Sequence, residues 1–212
     1  MPDTTFDPHC RLCPRLSEFL DVVQHEHPNY HCAPVGPFGD TNPHLLIVGL
    51  APGMHGANRT GRPFTGDYAG ILLYQTLFDL GLSNMPTSES ADDDLILKGV
   101  RISNAVKCLP PQNKPEPAEI RTCNRYLAHE LHALPKHCQL LALGTVAHRA
   151  VLLAYNLRPK NYPFAHGGIH ALPDGRRLTD SYHCSRYNTQ TRRLTAAMFR
   201  QAVELALAEQ PD

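Results

Sequence analysis

An excess of charge in either direction is the first thing missing from this sequence. Twenty Lys and Arg side chains balance twenty Asp and Glu, so no net field draws the chain toward nucleic acid or a membrane, and any polyanion site must come from local clustering. Long apolar runs are missing too. They stop well short of the roughly 18 residues that span a bilayer, and the opening segment MPDTTFDPHC has no charged-then-apolar leader. The expectation is a cytoplasmic protein that does not engage membranes. Over 212 residues there is no internal repeat, low-complexity tract, Gly/Ser linker or composition break, which predicts a single domain, residues 1–212, around one sizeable core.

What is present is an order of elements with a glycine loop near its centre. PRLSEFLDVVQHE (14–26) has helical apolar spacing, HLLIVGLA (44–51) reads as a buried strand, and 68–82 reads as a helix. GVRISNAV (99–106) and CQLLALG (138–144) are further strands, the second running straight into a helix over 145–156, and 115–134 is a helix opened by proline. A short strand pair is expected around Pro173, Asp174 and Gly175, followed by a last helix from about Arg192 to Glu209, while 83–94 reads as a solvated loop. Such alternation predicts an α/β fold with a mainly parallel sheet. Ligands then bind beyond the carboxyl ends of the strands, where the loop after Leu50, the loop after Val106 and the segment after Tyr182 converge.

The loop GLAPGMHGANRTGRPFTGDYAG, residues 49–70, lets backbone approach a ligand closely and offers N–H groups at the following helix. No Gly-Lys-Ser/Thr follows it, and GxGxxG does not fit the strand-to-helix junction. Phe64, between Pro63 and Thr65, can stack on a flat ligand such as a base. The competing reading is an ordinary core phenylalanine.

Seven cysteines is an odd number for a set of disulfides. Cys10 and Cys13 form CxxC, and Cys108 and Cys123 form a second, wider pair. Four thiolates suit a 4Fe–4S cluster or a zinc ion, and spacing alone does not separate these; a redox dithiol is a third option. Cys32, Cys138 and Cys184 read as buried small apolar residues.

Taken together, GLAPGMHGANRTGRPFTGDYAG, RISNAVKCLPPQNKP, the early CRLC and HCSRYNTQTRRLT resemble, in order and through most of the chain, the iron–sulfur uracil-DNA glycosylases, most closely the branch called UDGb or family five. The resemblance implies a three-layer α/β/α fold with a central mainly parallel sheet, a structural 4Fe–4S cluster on Cys10, Cys13, Cys108 and Cys123, and excision of uracil and other deaminated bases, hypoxanthine or xanthine among them, from DNA by a protein expected to be monomeric.

The residue chemistry agrees. A glycosylase must extrude a nucleotide, hold its base and break an N-glycosidic bond through an oxocarbenium-like sugar attacked by water. Phe64 would stack on the base, and the Asn104 amide can donate to uracil O4 and accept from N3–H, the opposite of what cytosine requires. The competing role for Asn104 is capping local backbone. His183 would donate to uracil O2 as charge builds on the leaving base, although Cys184 follows it where the family pattern has Pro or Val; His55, in the glycine loop, is a weaker candidate.

Related branches carry an acid or amide in the first motif. Here Gly49 is followed by Leu50, Ala51 and Pro52, none of which can orient a water. Asp67, the carboxylate nearest Phe64 in sequence and the corresponding one in the UDGb pattern, is assigned to water positioning and charge support; its competing role is the N-cap of the next helix. Gly49, Ala51 and Gly53 are expected to line the base site. For DNA, Ser185, Asn188, Thr189 and Gln190 are phosphate hydrogen-bonders, Arg192 and Arg193 are charges at a helix start, Arg186 and Tyr187 are wedge candidates, and Arg59 and Arg62 add positive charge. Two alternatives remain open: a non-catalytic metal-containing DNA-binding module, and a nucleotide-dependent enzyme using the glycine loop for phosphate.

Overall fold

The structure, a computed structural model, describes residues 5–208. Its sheet has strand order β1-β3-β2-β4-β6-β5, where β1 is Phe38–Gly39, β2 Leu45–Gly49, β3 Val100–Asn104, β4 Gln139–Leu143, β5 Ile169–Ala171 and β6 Arg177–Ser181. The four inner strands run parallel, and β1 and β5 pair antiparallel at the two edges. The expected mainly parallel α/β sheet is therefore present.

The inner strands are apolar throughout because both faces are covered. Leu45 and Ile47 pack with Leu73 and Leu77 of α3 (Tyr68–Asp79) and with Phe199 and Val203 of α7 (Ala196–Leu207). Leu46 and Val48, pointing the other way, pack with Leu127 and Leu131 of α4 (Pro117–Ala133) and with Ala147 and Val151 of α5 (Thr145–Ala154). This gives three layers. A smaller cluster docks α1 (Pro14–Glu26) beside α4, with Leu16, Leu20 and Val23 against Tyr126, Cys108 and Cys123. Register in the centre is tight: Gly49 sits opposite Asn104, so the ends of β2 and β3 finish level.

Three expectations need correction. The last helix starts at Ala196, where the Thr195 side chain accepts from the Met198 N–H; its expected end, Glu209, lies outside the described residues. Arg192 and Arg193 therefore lie in the link before a helix, and Arg192 adopts a left-handed φ of 58°. The helix start that does exist in this region is α6 (Arg186–Gln190), capped by Ser185. Lastly, Arg62 is not surface charge: only 6% exposed, it pairs with Asp93 of the expected, mostly exposed loop 83–94, reaches Ser88 Oγ at 3.2 Å and lies over the Phe38 ring. Arg62 is thus an internal cross-brace and adds nothing to a surface positive patch.

Candidate active site

The carboxyl ends of β2, β3, β4 and β6 open on a cavity of about 570 Å³. Its lining includes Ala51, Gly53, Phe64, Asp67, Asn104 and His183. Six residues read from separate stretches of sequence are therefore brought together. Gly49 lies behind this lining. A Cβ there would fall 2.4 Å from Asn104 Oδ1 and 2.6 Å from Phe64 Cζ, so only glycine lets the aromatic ring and the amide approach each other across the end of β2.

Phe64 is 5% exposed and holds a left-handed φ of 55°, a conformation a bulky residue adopts only when its surroundings enforce it. The Tyr74 hydroxyl helps enforce it by donating to the preceding Pro63 carbonyl at 2.8 Å. The Phe64 ring lies 5.9 Å from the His183 ring at an interplanar angle of 27°. Asn104 is 3% exposed, and its Oδ1 is buried with no hydrogen-bond partner. A buried amide oxygen left bare costs about 1–3 kcal/mol, and a ligand donor in the cavity would recover that.

Burial alone pushes the His183 imidazole down to about 4, so the ring is neutral near pH 7. Neutral imidazole donates from one nitrogen, which suits it to meet an anionic leaving group as electrophile. The Asn188 side-chain amide fixes its backbone, donating to the His183 carbonyl at 2.8 Å.

Asp67 caps α3, its Oδ1 accepting the Gly70 N–H at 2.9 Å. The carboxylate also belongs to the cavity lining, facing Gly53 and Gly56. Burial raises its pKa above the usual carboxylate value, opposed by the Gly70 and Ala69 N–H groups. Capping and a place in the cavity coexist.

Residues 37–206 match the uracil DNA glycosylase superfamily model. A type-5 uracil-DNA glycosylase of Thermus thermophilus is 49% identical over 195 residues, 90% of this chain and 89% of the relative. One from Pyrobaculum aerophilum is 41% identical over 205 residues, 95% and 89% of the two chains. This chain belongs to the uracil DNA glycosylase superfamily, in its type-5 branch. Likeness to the type-4 branch is narrower: a type-4 uracil-DNA glycosylase of Pyrobaculum aerophilum is 35% identical over 109 residues, 51% of this chain and 47% of that protein. Members of the superfamily are DNA N-glycosylases, and among the described residues no helix is long and apolar enough to cross a membrane.

Of the expected DNA-contacting residues of this glycosylase-family chain, Ser185, Arg186 and Asn188 line the cavity mouth. Tyr187 projects from α6 at 70% exposure, and Thr189, Gln190 and Arg192 lie outside the lining. Several have internal partners: Ser185 Oγ accepts the Asn188 N–H, and the Thr189 hydroxyl donates to the Ser185 and Arg186 carbonyls. Arg186 lies over the Tyr68 ring and Arg193 over Tyr182. His55 is engaged elsewhere, with Tyr30 Oη 2.9 Å from its Nδ1.

Cys10, Cys13, Cys108 and Cys123 converge on one small pocket between α1, α4 and the segment after β3, together with Lys107 and Tyr126. Burial is the main cause that lifts the thiols of Cys13, to about 11, of Cys108, to about 12, and of Cys123, and the neighbouring cysteines add to it. Four mutually repelling thiolates in a dry site need a cationic centre to ionise. The Lys107 backbone N–H donates to Cys123 Sγ at 3.2 Å, the kind of bond that supports a ligating sulfur. Cys138 and Cys184 are fully buried among apolar side chains, as expected, and Cys32 is half-buried beside Asn58.

Sequence reasoning missed Phe164, Tyr68 and Asn113 in the cavity wall. Phe164 carried the same signal as Phe64, an aromatic between proline and glycines. Asn113 has a left-handed φ of 55° in the proline-rich PPQNKP turn.

Proposed function

We propose that this protein is a uracil-DNA glycosylase that draws a flipped deaminated base into the cavity at the carboxyl ends of β2, β3, β4 and β6 and hydrolyses its N-glycosidic bond. The observation that carries the reading is the bare, buried Oδ1 of Asn104 beside Phe64, a polar atom lacking a donor at the wall of a cavity. Uracil N3–H is such a donor, whereas cytosine N3 is an acceptor and would leave the oxygen unpaired, a penalty that discriminates strongly.

In this mechanism Phe64 stacks on the base and Asn104 reads its Watson–Crick edge. Neutral His183 donates to uracil O2 while negative charge gathers there, and Asp67 holds the water and offsets the positive sugar. Gly49 gives Phe64 and Asn104 room, and Ala51 and Gly53 form the floor. Arg186 and Tyr187 fill the space left in the duplex, with Ser185, Asn188, Thr189, Gln190 and Arg192 near the phosphates. The protein acts as a monomer. Apolar Leu50 and Ala51 stand in the lining where related branches carry an acid or amide, which supports acceptance of hypoxanthine or xanthine as well.

Cys10, Cys13, Cys108 and Cys123 would hold a 4Fe–4S cluster whose contribution is structural, pinning α1 to α4 and the end of β3. Zinc at about 2.3 Å from each sulfur would bring the sulfurs within roughly 3.8 Å of one another. A 4Fe–4S cluster holds its four ligand sulfurs farther apart than that, and iron and zinc analysis of the purified protein distinguishes the two.

The test is a gel assay on duplexes carrying one uracil, hypoxanthine, xanthine or cytosine, with alkali to cut abasic sites. Cleavage at uracil and not at cytosine is expected. Intact uracil duplex after incubation with iron-loaded protein would overturn the reading.

A further inference from the structure

His148 on α5 is 1% exposed, and Asp180 on β6 is completely buried. His148 Nδ1 lies 2.8 Å from Asp180 Oδ1, and Nε2 lies 2.9 Å from the Tyr162 carbonyl. His170 on β5 approaches the other carboxylate oxygen, its Nε2 3.1 Å from Asp180 Oδ2. Both partners of His148 are oxygen acceptors. The Tyr162 carbonyl has no proton to offer, so Nε2 carries one. Asp180 Oδ1 is likewise an acceptor when the carboxylate is ionised, which calls for a second proton on Nδ1. With an oxygen against each of its nitrogens, the ring bridges two parts of the chain.

Both parts lead into the lining of the base cavity, where the Phe164 and Tyr182 rings lie 6.2 Å apart. Asp180 on β6 lies three residues before His183, which follows the strand's carboxyl end. Tyr162 begins the loop that carries Phe164, whose ring packs edge-on to His148 at 5.6 Å and lines the cavity. A second tie follows, in which the Tyr182 N–H donates to His166 Nδ1 at 3.2 Å and the two rings stack at 5.0 Å. Burial lowers the His166 pKa, consistent with a bare Nδ1 that accepts. The backbone closes the loop, with Gly167 N–H to the Asp180 carbonyl at 2.8 Å and Asp180 N–H to the Gly168 carbonyl at 2.9 Å.

We infer that His148 is a positioning residue for base excision, tying the Phe164 loop to the strand that delivers His183. The inference rests on the glycosylase reading above. His148 never touches the base; its proton-bearing nitrogens set the distance between two groups that do. The titratable groups facing it are Asp180 from β6 and His170 from β5, with the Tyr162 carbonyl and the Phe164 ring completing its surroundings. The His148 and Asp180 separation of 2.8 Å is that of a hydrogen bond, so a proton, and not a metal ion, joins the three side chains.

Nitrogen-15 NMR of the histidine-labelled protein at pH 7 tests the protonation, and one histidine assigned to position 148 should show both ring nitrogens protonated. His148→Gln keeps one amide donor. In this variant, excision of uracil under single turnover should fall on the order of ten- to a hundredfold, the scale of a displaced positioning group. DNA affinity should hold, and amide exchange should quicken over 162–168 and 181–183. An unprotonated His148 nitrogen at pH 7, stoichiometric zinc lost on His170→Gln, or unchanged exchange and rate in His148→Gln would each overturn the inference. If His148→Gln fails to fold, the wild-type nitrogen spectrum decides. If the wild type excises no uracil, the glycosylase reading falls while the spectrum and exchange still judge the tie.

Discussion

Replacing Asp67 with Asn separates the two roles that this side chain combines. The capping bond from the Gly70 N–H to Oδ1, 2.9 Å long, is available to the Asn carbonyl, and Asn and Asp are near-equal N-caps. Linkage sets the sign of any stability change. Burial raises the folded pKa of Asp67, so its stabilising contribution is present at low pH and is lost as pH rises through that folded value. At neutral pH the wild type carries this cost and Asn does not, so Asp67→Asn should hold or slightly raise Tm. The kinetic effect is opposite. A unit charge roughly 5 Å from a developing positive sugar, at an effective dielectric near 20, is worth about 3 kcal/mol, or about two decades in rate. Because the amide dipole retains part of this, the expected loss is ten- to a hundredfold in single-turnover excision, with DNA binding unchanged. The wild-type rate should fall in acid as Asp67 protonates, at a pH above the ordinary carboxylate range, and the variant should lack that limb. His183, neutral down to about pH 4, contributes no limb between pH 5 and 8. An unchanged rate in Asp67→Asn, or an acid limb that survives it, would refute the reasoning.

Three further outcomes follow from the geometry. Gly49→Ala forces a Cβ to within 2.4 Å of Asn104 Oδ1 and 2.6 Å of Phe64 Cζ; circular dichroism should show a folded protein, and uracil excision should drop by at least tenfold. Cys123→Ser should lose iron and folded yield together, whereas Cys138→Ser keeps full iron, as measured by colorimetric iron assay. Asp93→Ala strips the partner from buried Arg62 and should cost about 3 kcal/mol, or roughly 6–12 °C in Tm by calorimetry.

The elements buried on two faces were readable because burial writes a continuous apolar run. LLIVG, VRISN and QLLAL announce themselves, and so do the long helices with one apolar stripe. The two-residue β1 has no pattern to read, and α6, built from RYNTQ, has no apolar stripe, so neither is legible in the sequence. The start of α7 lies four residues past Arg192, at the Thr195 cap, because the polar QTRRLT run carries no apolar period to mark a boundary. Phe64 and Asp67 in the glycine loop, Asn104 at the end of β3 and His183 just past β6 are legible because ligands meet the sheet there and because each stands within a motif of the family pattern. Arg62 was misread as surface charge because its partner lies 31 residues away. His148 was hidden the same way, its partners 14 and 32 residues distant, so only the fold turns an ordinary histidine into a bridge.

The central claim is that Asn104 reads the edge of a flipped uracil. Its most direct test is single-turnover excision from a uracil-containing duplex by wild-type protein and Asn104→Ala side by side, with DNA affinity and Tm measured on the same preparations. Losing a bond to a buried, discriminating amide should cost about 2–3 kcal/mol, a fall of roughly thirty- to two-hundredfold, with affinity and Tm held. Equal rates in the two proteins would contradict the account.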